Sequence, residues 1–217
     1  GNVVNPDDIV RDFGADALRM YEMFMGPLEA VKPWQTSQIQ GVVRFRDRVW
    51  SLCHRPLGDD LSEETEKALH KTIKKVTEDI DNMAFNTALS AMMELTNHLT
   101  GQPKPPREAV EKLVTLMSPF APHIAEELWQ NLGHSESIAL TDWPTFDPDK
   151  TIDETIEMGV QVNGKTRGTV TIARDADADT AQAAALEIEN VNKHVEGKEV
   201  KKFIYVPGRI INFVVKG

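Results

Sequence analysis

Residues 157–173 read EMGVQVNGKTRGTVTIA, and within them the hydrophobic period of the chain changes. Glu157-Met-Gly-Val-Gln-Val162 alternates apolar and polar side chains with period two, as a half-buried strand does. It runs into Asn163-Gly164, the strongest short-range hairpin signal, because a tight hairpin turn needs residues that tolerate positive φ. Thr169–Ala173 supplies the return strand. Downstream, the Ala-rich Thr180–Asn190 is opened by Asp177 and Asp179, carboxylates suited to a positive helix end, and reads as helix. Val200–Val206 and Ile210–Val215 read as two further strands joined at Pro207-Gly208. The order β-β-α-β-β makes residues 155–217 a small α+β domain. Its size is marginal for burying a core, so mobility relative to what precedes it is expected.

Upstream of the hairpin, Thr141–Glu154 holds two prolines and several acids with little periodicity, and reads as a linker. Before it the period is helical. Asn5-Pro6-Asp7-Asp8 combines a capping Asn, Pro at the first helical position and carboxylates in the first turn, and the segment so opened carries Leu18, Tyr21 and Met25 to a stop at Gly26-Pro27. A second helix over about Ser37–Arg55 carries Val42, Phe45, Val49 and Leu52 at 3/4 spacing. A third starts at Ser62 with a seam of Leu69, Ile73, Val76, Ile80 and Met83. It loses phase near Asn82–Asn86 and resumes with Leu89, Met92, Leu95 and Leu99. Pro103–Pro106 launches a helix that ends at Ser118-Pro119, and a last one spans about Pro122–Leu132 before Gly133. Five or more antiparallel helices with short connections form a bundle, so the fold class is mainly α with a small α+β domain after it.

The 217 residues are 41% apolar and 27% charged, the balance of a globular protein. No apolar run approaches a spanning helix and no signal peptide opens the chain, and the single Cys53 permits neither an internal disulfide nor a multi-cysteine zinc site. A cytoplasmic, metal-free protein with no membrane partner is expected. The net charge of −10 is unevenly spread: residues 1–154 hold 15 Lys/Arg against 26 Asp/Glu, whereas residues 155–217 hold nine against eight, and residues 192–217 six against two. Local field, more than total charge, governs a phosphate partner.

No catalytic constellation emerges. The six histidines lack metal spacing, and Asn163-Gly164-Lys165 and Pro207-Gly208 are hairpin tips, too short for a phosphate cradle and not followed by a helix. His123, after Ser118-Pro-Phe-Ala-Pro122, reads as a residue that caps or packs a turn. The basic positions say more. At 100° per residue, Arg44, Arg48 and Arg55 fall within about 40° of one another, well off the apolar stripe, either a solvated face or a grip on a phosphate backbone. Trp34 and Trp50 flank the same region and read as packing residues. Lys165 and Arg167 sit at one hairpin tip, and Lys198, Lys201, Lys202 and Arg209 bracket the other. Lysines on exposed strands also guard against edge pairing.

These residues carry a resemblance to a known family. The chain resembles the C-terminal part of bacterial-type leucyl-tRNA synthetases, class I aminoacyl-tRNA synthetases. Gly1-Asn2-Val3-Val4-Asn5-Pro6 is similar to the segment directly after the family's KMSKS loop, and Gly14-Ala15-Asp16-Ala17-Leu18-Arg19 to the motif that follows it. Trp34-Gln35 and Arg44-Phe-Arg-Asp-Arg-Val-Trp50 resemble the start of the anticodon-binding-type bundle. Ser118-Pro-Phe-Ala-Pro-His123 is shared with valyl and isoleucyl relatives. Val160-Gln-Val-Asn-Gly-Lys-Thr-Arg167 and Ile204-Tyr-Val-Pro-Gly208 look like the C-terminal domain peculiar to leucyl enzymes.

The resemblance implies a post-KMSKS connecting segment over residues 1–36, a bundle over 37–140, a linker over 141–154 and a tRNA-elbow-binding domain over 155–217. It implies tRNA(Leu) as partner, contacted by Arg44 and Arg48 on the bundle; Arg55 is grouped with them by helical face. Lys165, Arg167, Lys198, Lys201, Lys202 and Arg209 are assigned to the tRNA elbow by charge and domain alone. Gly14, Asp16, Arg19, Trp34, Trp50, His123, Asn163, Gly164, Pro207 and Gly208 take structural roles. The family's His-Ile-Gly-His and KMSKS elements and its editing domain are absent. The expectation is a monomeric fragment or split-enzyme subunit, inactive alone and without cofactor, whose catalytic domain, using ATP and Mg, lies in cis or on another chain. A helical protein-interaction module and the equivalent part of a valyl or isoleucyl enzyme are the alternatives.

Overall fold

The computed structural model describes residues 3–216, so Gly1-Asn2 of the first family-like segment lies outside the described residues. The chain forms two compact units, residues 1–151 and 152–217.

The first unit is helical. α1 (Pro6–Phe13) begins as its sequence predicts: the Asn5 side chain accepts the Asp7 N–H at 3.0 Å, and Pro6 occupies the first turn. The continuous segment read up to Gly26-Pro27 is broken at Gly14, whose φ of +93° is open to glycine at low cost, and α2 (Ala15–Phe24) starts there in a new direction. The break rotates the buried face, which is Ala17, Met20 and Tyr21; Leu18 and Met25 are only half-buried. A 3₁₀ turn (Thr36–Ile39) leads into α3 (Gln40–Cys53), which buries Val42, Phe45, Val49 and Leu52. α4 (Glu63–Asp81) is capped by Ser62 and buries Leu69, Ile73 and Val76. The seam stops one turn short of its predicted end. Ile80 is half-buried, and Met83 is exposed at φ +55° in the turn to α5 (Phe85–Thr100). α6 (Arg107–Met117) and α7 (Pro122–Asn131) complete the bundle.

Two stretches read from sequence as a connecting segment and a linker belong to this core. Ile9, Met20 and Tyr21 are buried in it, and Trp143 and Phe146 pack against it. The strap after Leu140 is held to α4: the Trp143 indole N–H donates to Thr77 Oγ1 at 2.9 Å, and the Asp147 N–H to His70 Nδ1 at 3.0 Å. Only neutral histidine offers that acceptor. Burial first, then the charges of Lys150 and Lys112, push His70 below its ordinary value of 6.5. A depressed native value means the unfolded chain binds the proton more tightly, so the anchor contributes fully above pH 6.5 and is lost as pH falls through the native value. Amide exchange across residues 143–151 is expected to lose protection between pH 7.5 and 5. Constant protection factors across that range would remove His70 as the anchor.

The second unit carries β1 (Thr155–Val162), β2 (Lys165–Ala173), β3 (Val200–Val206) and β4 (Ile210–Val215) in the sheet order β2-β1-β4-β3. β1 and β2 form the predicted antiparallel hairpin, with Asn163 and Gly164 at φ +51° and +77°. β1 and β4 run parallel. The helix read over Thr180–Asn190 is instead two, α8 (Ala178–Leu186), capped by Asp177, and α9 (Glu189–Val195). Between them Ile188 is extended and lies over Gly168, so close that a Cβ there would come within 2.9 Å of Ile188 Cγ2. Leaving the helix at Ile188 lets its branched side chain close this part of the unit. Met158, Val160, Val162, Ile211 and Phe213 form the core with Ala181, Ala185 and Val191.

Candidate nucleic-acid interface

Arg44 and Arg48 project from the exposed side of α3, opposite Val42 and Val49. The Arg48 guanidinium donates to Asn97 Oδ1 on α5, which fixes its direction, while Arg44 stands in solvent. Arg55 does not join them. α3 ends at Cys53, so the helical angle that aligned the three arginines does not extend to Arg55. Its guanidinium instead donates to the carbonyls of Thr100, at 2.9 Å, Gln102 and Pro103, tying the end of α3 to the loop after α5. Trp50 is exposed and lies at a tilt on the His54 ring, with centroids 4.5 Å apart. Trp34 packs edge-on against Tyr21 and donates to Thr36 Oγ1 at 2.8 Å. Neighbouring Cys53 is chemically quiet, its thiol pushed up to about 12 by burial.

The motif residues 14–19 and 118–123 are far apart in sequence and joined in space. The buried Asp16 carboxylate accepts the Ile124 N–H at 2.7 Å and the His123 Nδ1–H at 2.8 Å, capping α7 from outside its own chain segment. Arg19 donates to the Pro119 and Phe120 carbonyls at 2.9 and 3.3 Å, so the pair grips both sides of the α6–α7 turn. Arg46 donates to the Phe13 carbonyl at 2.7 Å beside Gly14 and locks the α1–α2 break onto α3. Asp16, Arg19 and His123 thus join α2 to the α6–α7 turn, and Arg46 joins the Gly14 break to α3, the helix that carries Arg44 and Arg48.

In the second unit, topology sorts the cations. β1 and β4 end together, and β2 and β3 start at that same end, because Val162 faces Lys165 and Phe213, and Val215 faces Val200. Lys165, Lys198, Lys201, Lys202 and Lys216 therefore gather at one end of the sheet. Asn163 knits that end: its Oδ1 accepts the Val215 N–H at 2.9 Å. Arg209 and the Pro207-Gly208 turn lie at the opposite end, so the sequence neighbours Lys201, Lys202 and Arg209 do not share a patch. Arg167 is the extra residue of a β-bulge in β2, between Thr166 and Gly168, which face consecutive residues of β1. Its carbonyl accepts from Asn190 at 2.8 Å, and its buried Nε has no hydrogen-bond partner among the described residues. A bulge re-aims a side chain.

The sequence reads α4 only as a packing seam, and the structure adds that Lys71 and Lys75 border an open groove between α4 and α5. The available signal was the acid-free run from Lys67 to Thr77, which carries four lysines inside the acidic part of the chain. Among the described residues, no group of three or more His, Cys, Asp or Glu is arranged to hold a metal ion, and no helix is long and apolar enough to cross a membrane.

Residues 63–182, from α4 to the start of α8, match the family model of the anticodon-binding domain of tRNA ligase. Over 99% of its length the chain is 61% identical to a leucine–tRNA ligase of Sorangium cellulosum, covering 25% of that protein. It is 48% identical over its whole length to the leucine–tRNA ligase of Rhodopirellula baltica, covering 24% of it. The chain thus spans about a quarter of these curated relatives. It also superposes over its whole length, with a TM-score of 0.80 and 32% identity, on 31% of an Agrobacterium radiobacter LeuRS solved as a ternary complex with tRNA and LeuAMS. The leucine enzymes match through both units, which leaves the valyl, isoleucyl and protein-interaction alternatives without support. The chain belongs to the tRNA-ligase anticodon-binding-domain family, in its leucine–tRNA ligase branch.

Proposed function

We propose that this chain is the tRNA-binding part of a leucine–tRNA ligase, positioning tRNA(Leu) for ATP-dependent leucylation by a catalytic domain supplied in cis or by a separate chain. The observation that carries the reading is the 61% identity to a leucine–tRNA ligase through both the bundle and the sheet unit. In this reading the protein is cytoplasmic and monomeric, and inactive by itself. ATP and Mg belong to the catalytic domain.

The mechanism is placement. Correct orientation of a reacting end can supply roughly 7–11 kcal/mol of a barrier, provided the geometry holds to about an ångström. Arg44 and Arg48 hold the backbone on the inner side of the tRNA. The lysine end of the sheet, with Lys165, Lys198, Lys201 and Lys202, holds the elbow, and Arg167 is aimed by its bulge. Arg209, at the far end, serves at most a separate contact. Phosphate contacts of this kind fix register, while RNA shape supplies discrimination.

The test is binding of a leucine tRNA transcript at several salt concentrations, with excess unrelated RNA as competitor. For Arg44→Ala/Arg48→Ala the log–log salt slope is expected to fall by about 0.7–0.9 per lost contact. Unchanged slope and affinity would remove both residues from the interface. Equal competition by any RNA would remove the tRNA reading itself.

A further inference from the structure

Asn163 is the one asparagine in the sequence that a glycine follows. That pair is chemically unstable, because glycine has no side chain to hinder attack of its own nitrogen on the asparagine carboxamide. The Gly164 nitrogen gives its proton to hydroxide and bonds to Asn163 Cγ. The Cγ–Nδ2 bond then breaks, and Nδ2 takes a proton from water and leaves as ammonia. Water opens the resulting five-membered imide at either carbonyl, leaving aspartate or its β-linked isomer. One water enters, one ammonia leaves, and no oxidant or cofactor is required. The turn is open to that water: both residues are exposed, and a Cβ on Gly164 would meet no atom within 4 Å beyond its chain neighbours.

Water access does not limit the reaction, because β4 holds both reacting groups. Asn163 Oδ1 accepts the Val215 N–H at 2.9 Å, and its Nδ2 donates to the Val215 carbonyl at 3.3 Å. The attacking group, the Gly164 N–H, donates to Asn212 Oδ1 at 3.2 Å, and the Asn163 N–H to the Phe213 carbonyl at 2.8 Å. An amide tied to a carbonyl keeps its proton, and a carboxamide pinned at both ends cannot swing its carbon towards the next nitrogen. We propose that Asn163 is a deamidation site gated by this clamp, and that its reaction frees the end of β4. Aspartate has no donor for the Val215 carbonyl and sets a second acceptor against it. The β-linked isomer also inserts a methylene into a two-residue turn whose φ angles, +51° and +77°, fix the pairing of Val162 with Lys165. Attraction of the new carboxylate to Lys165 and the other lysines at that end is a solvent-screened surface interaction and offsets little of the loss. Ammonia escapes, so the change runs one way.

The experiment follows residue 163 by peptide mapping of the 217-residue chain in mildly alkaline buffer, beside a free peptide of residues 161–167. Conversion in the folded chain is expected to be slower than in the peptide by at least about tenfold, the effect of one to three such hydrogen bonds. Asn212→Ala, which frees the Gly164 N–H, raises the rate by about 2- to 13-fold, the effect of losing one bond. In the converted chain the Val215 amide loses exchange protection, while the amides of residues 1–151 keep theirs. Conversion of the folded parent at the peptide's rate would overturn the clamp, as would an unchanged rate in Asn212→Ala. Should Asn212→Ala melt the second unit, the parent decides: on warming, its conversion must rise in step with Val215 exchange, and divergence overturns the gating. Absence of conversion where Val215 exchanges freely overturns the site itself. Unchanged Val215 protection after conversion overturns the release of β4.

Discussion

Phe213→Ala is expected to unfold residues 152–217 while the helical unit stays intact. Phe213 is fully buried at the centre of the second core, paired on β4 with Phe203 of β3 and Val162 of β1, so its ring fills the junction of three strands. Truncating a buried phenylalanine costs about 3–5 kcal/mol, because the transfer energy is lost and the cavity left behind does not close. A unit this small has only about 3–10 kcal/mol to lose. The first unit has a core of its own, with Leu52, Leu69, Leu89, Leu95 and Leu99 buried in it. In far-UV circular dichroism the variant should keep its cooperative helical melt. Limited proteolysis should release residues 1–151 as a stable fragment. A single transition in which helix and sheet signals fall together would mean that the two units fold as one, and would refute the division at residue 151.

Asp16→Ala should produce the second largest loss, about 2–3 kcal/mol, by removing a helix cap and leaving the Ile124 N–H buried beside an apolar methyl. That corresponds to a fall in Tm of roughly 5–10 °C. His123→Ala separates capping from ion pairing. The histidine side chain is 74% exposed, and the Ile124 bond survives its removal, so the cost should stay below about 1 kcal/mol. Equal losses in the two variants, read by thermal melts of the full chain, would show that the Asp16–His123 pair itself, rather than the cap on α7, holds the junction.

What was legible in the sequence follows from periodicity and turn chemistry. The Asn163-Gly164 hairpin, the caps at Asn5 and Ser62, the apolar stripe of α3 and the strands 200–206 and 210–215 need no partner to be specified. Each depends on side-chain spacing and on residues that tolerate a particular φ. The site was legible in part. Arg44 and Arg48 share a face by helical geometry, but Arg55 fell out because a helix wheel carries no record of where the helix stops. Lys201, Lys202 and Arg209 are close in sequence and separated in space, because the turn at Pro207-Gly208 belongs to the opposite end of the sheet.

The sequence by itself determined the helical and strand character of most segments and where the period changes from 3.6 to 2, but not the breaks at Gly14 and Ile188. Tertiary structure alone decided that Asp16 caps α7, that Arg167 is turned by a bulge, and that the lysines of α4 border a groove on α5. Local spacing sets a residue's direction from its own backbone. Which distant donor, carbonyl or cation it meets depends on how separate elements stack to bury their apolar faces, and no single segment encodes that.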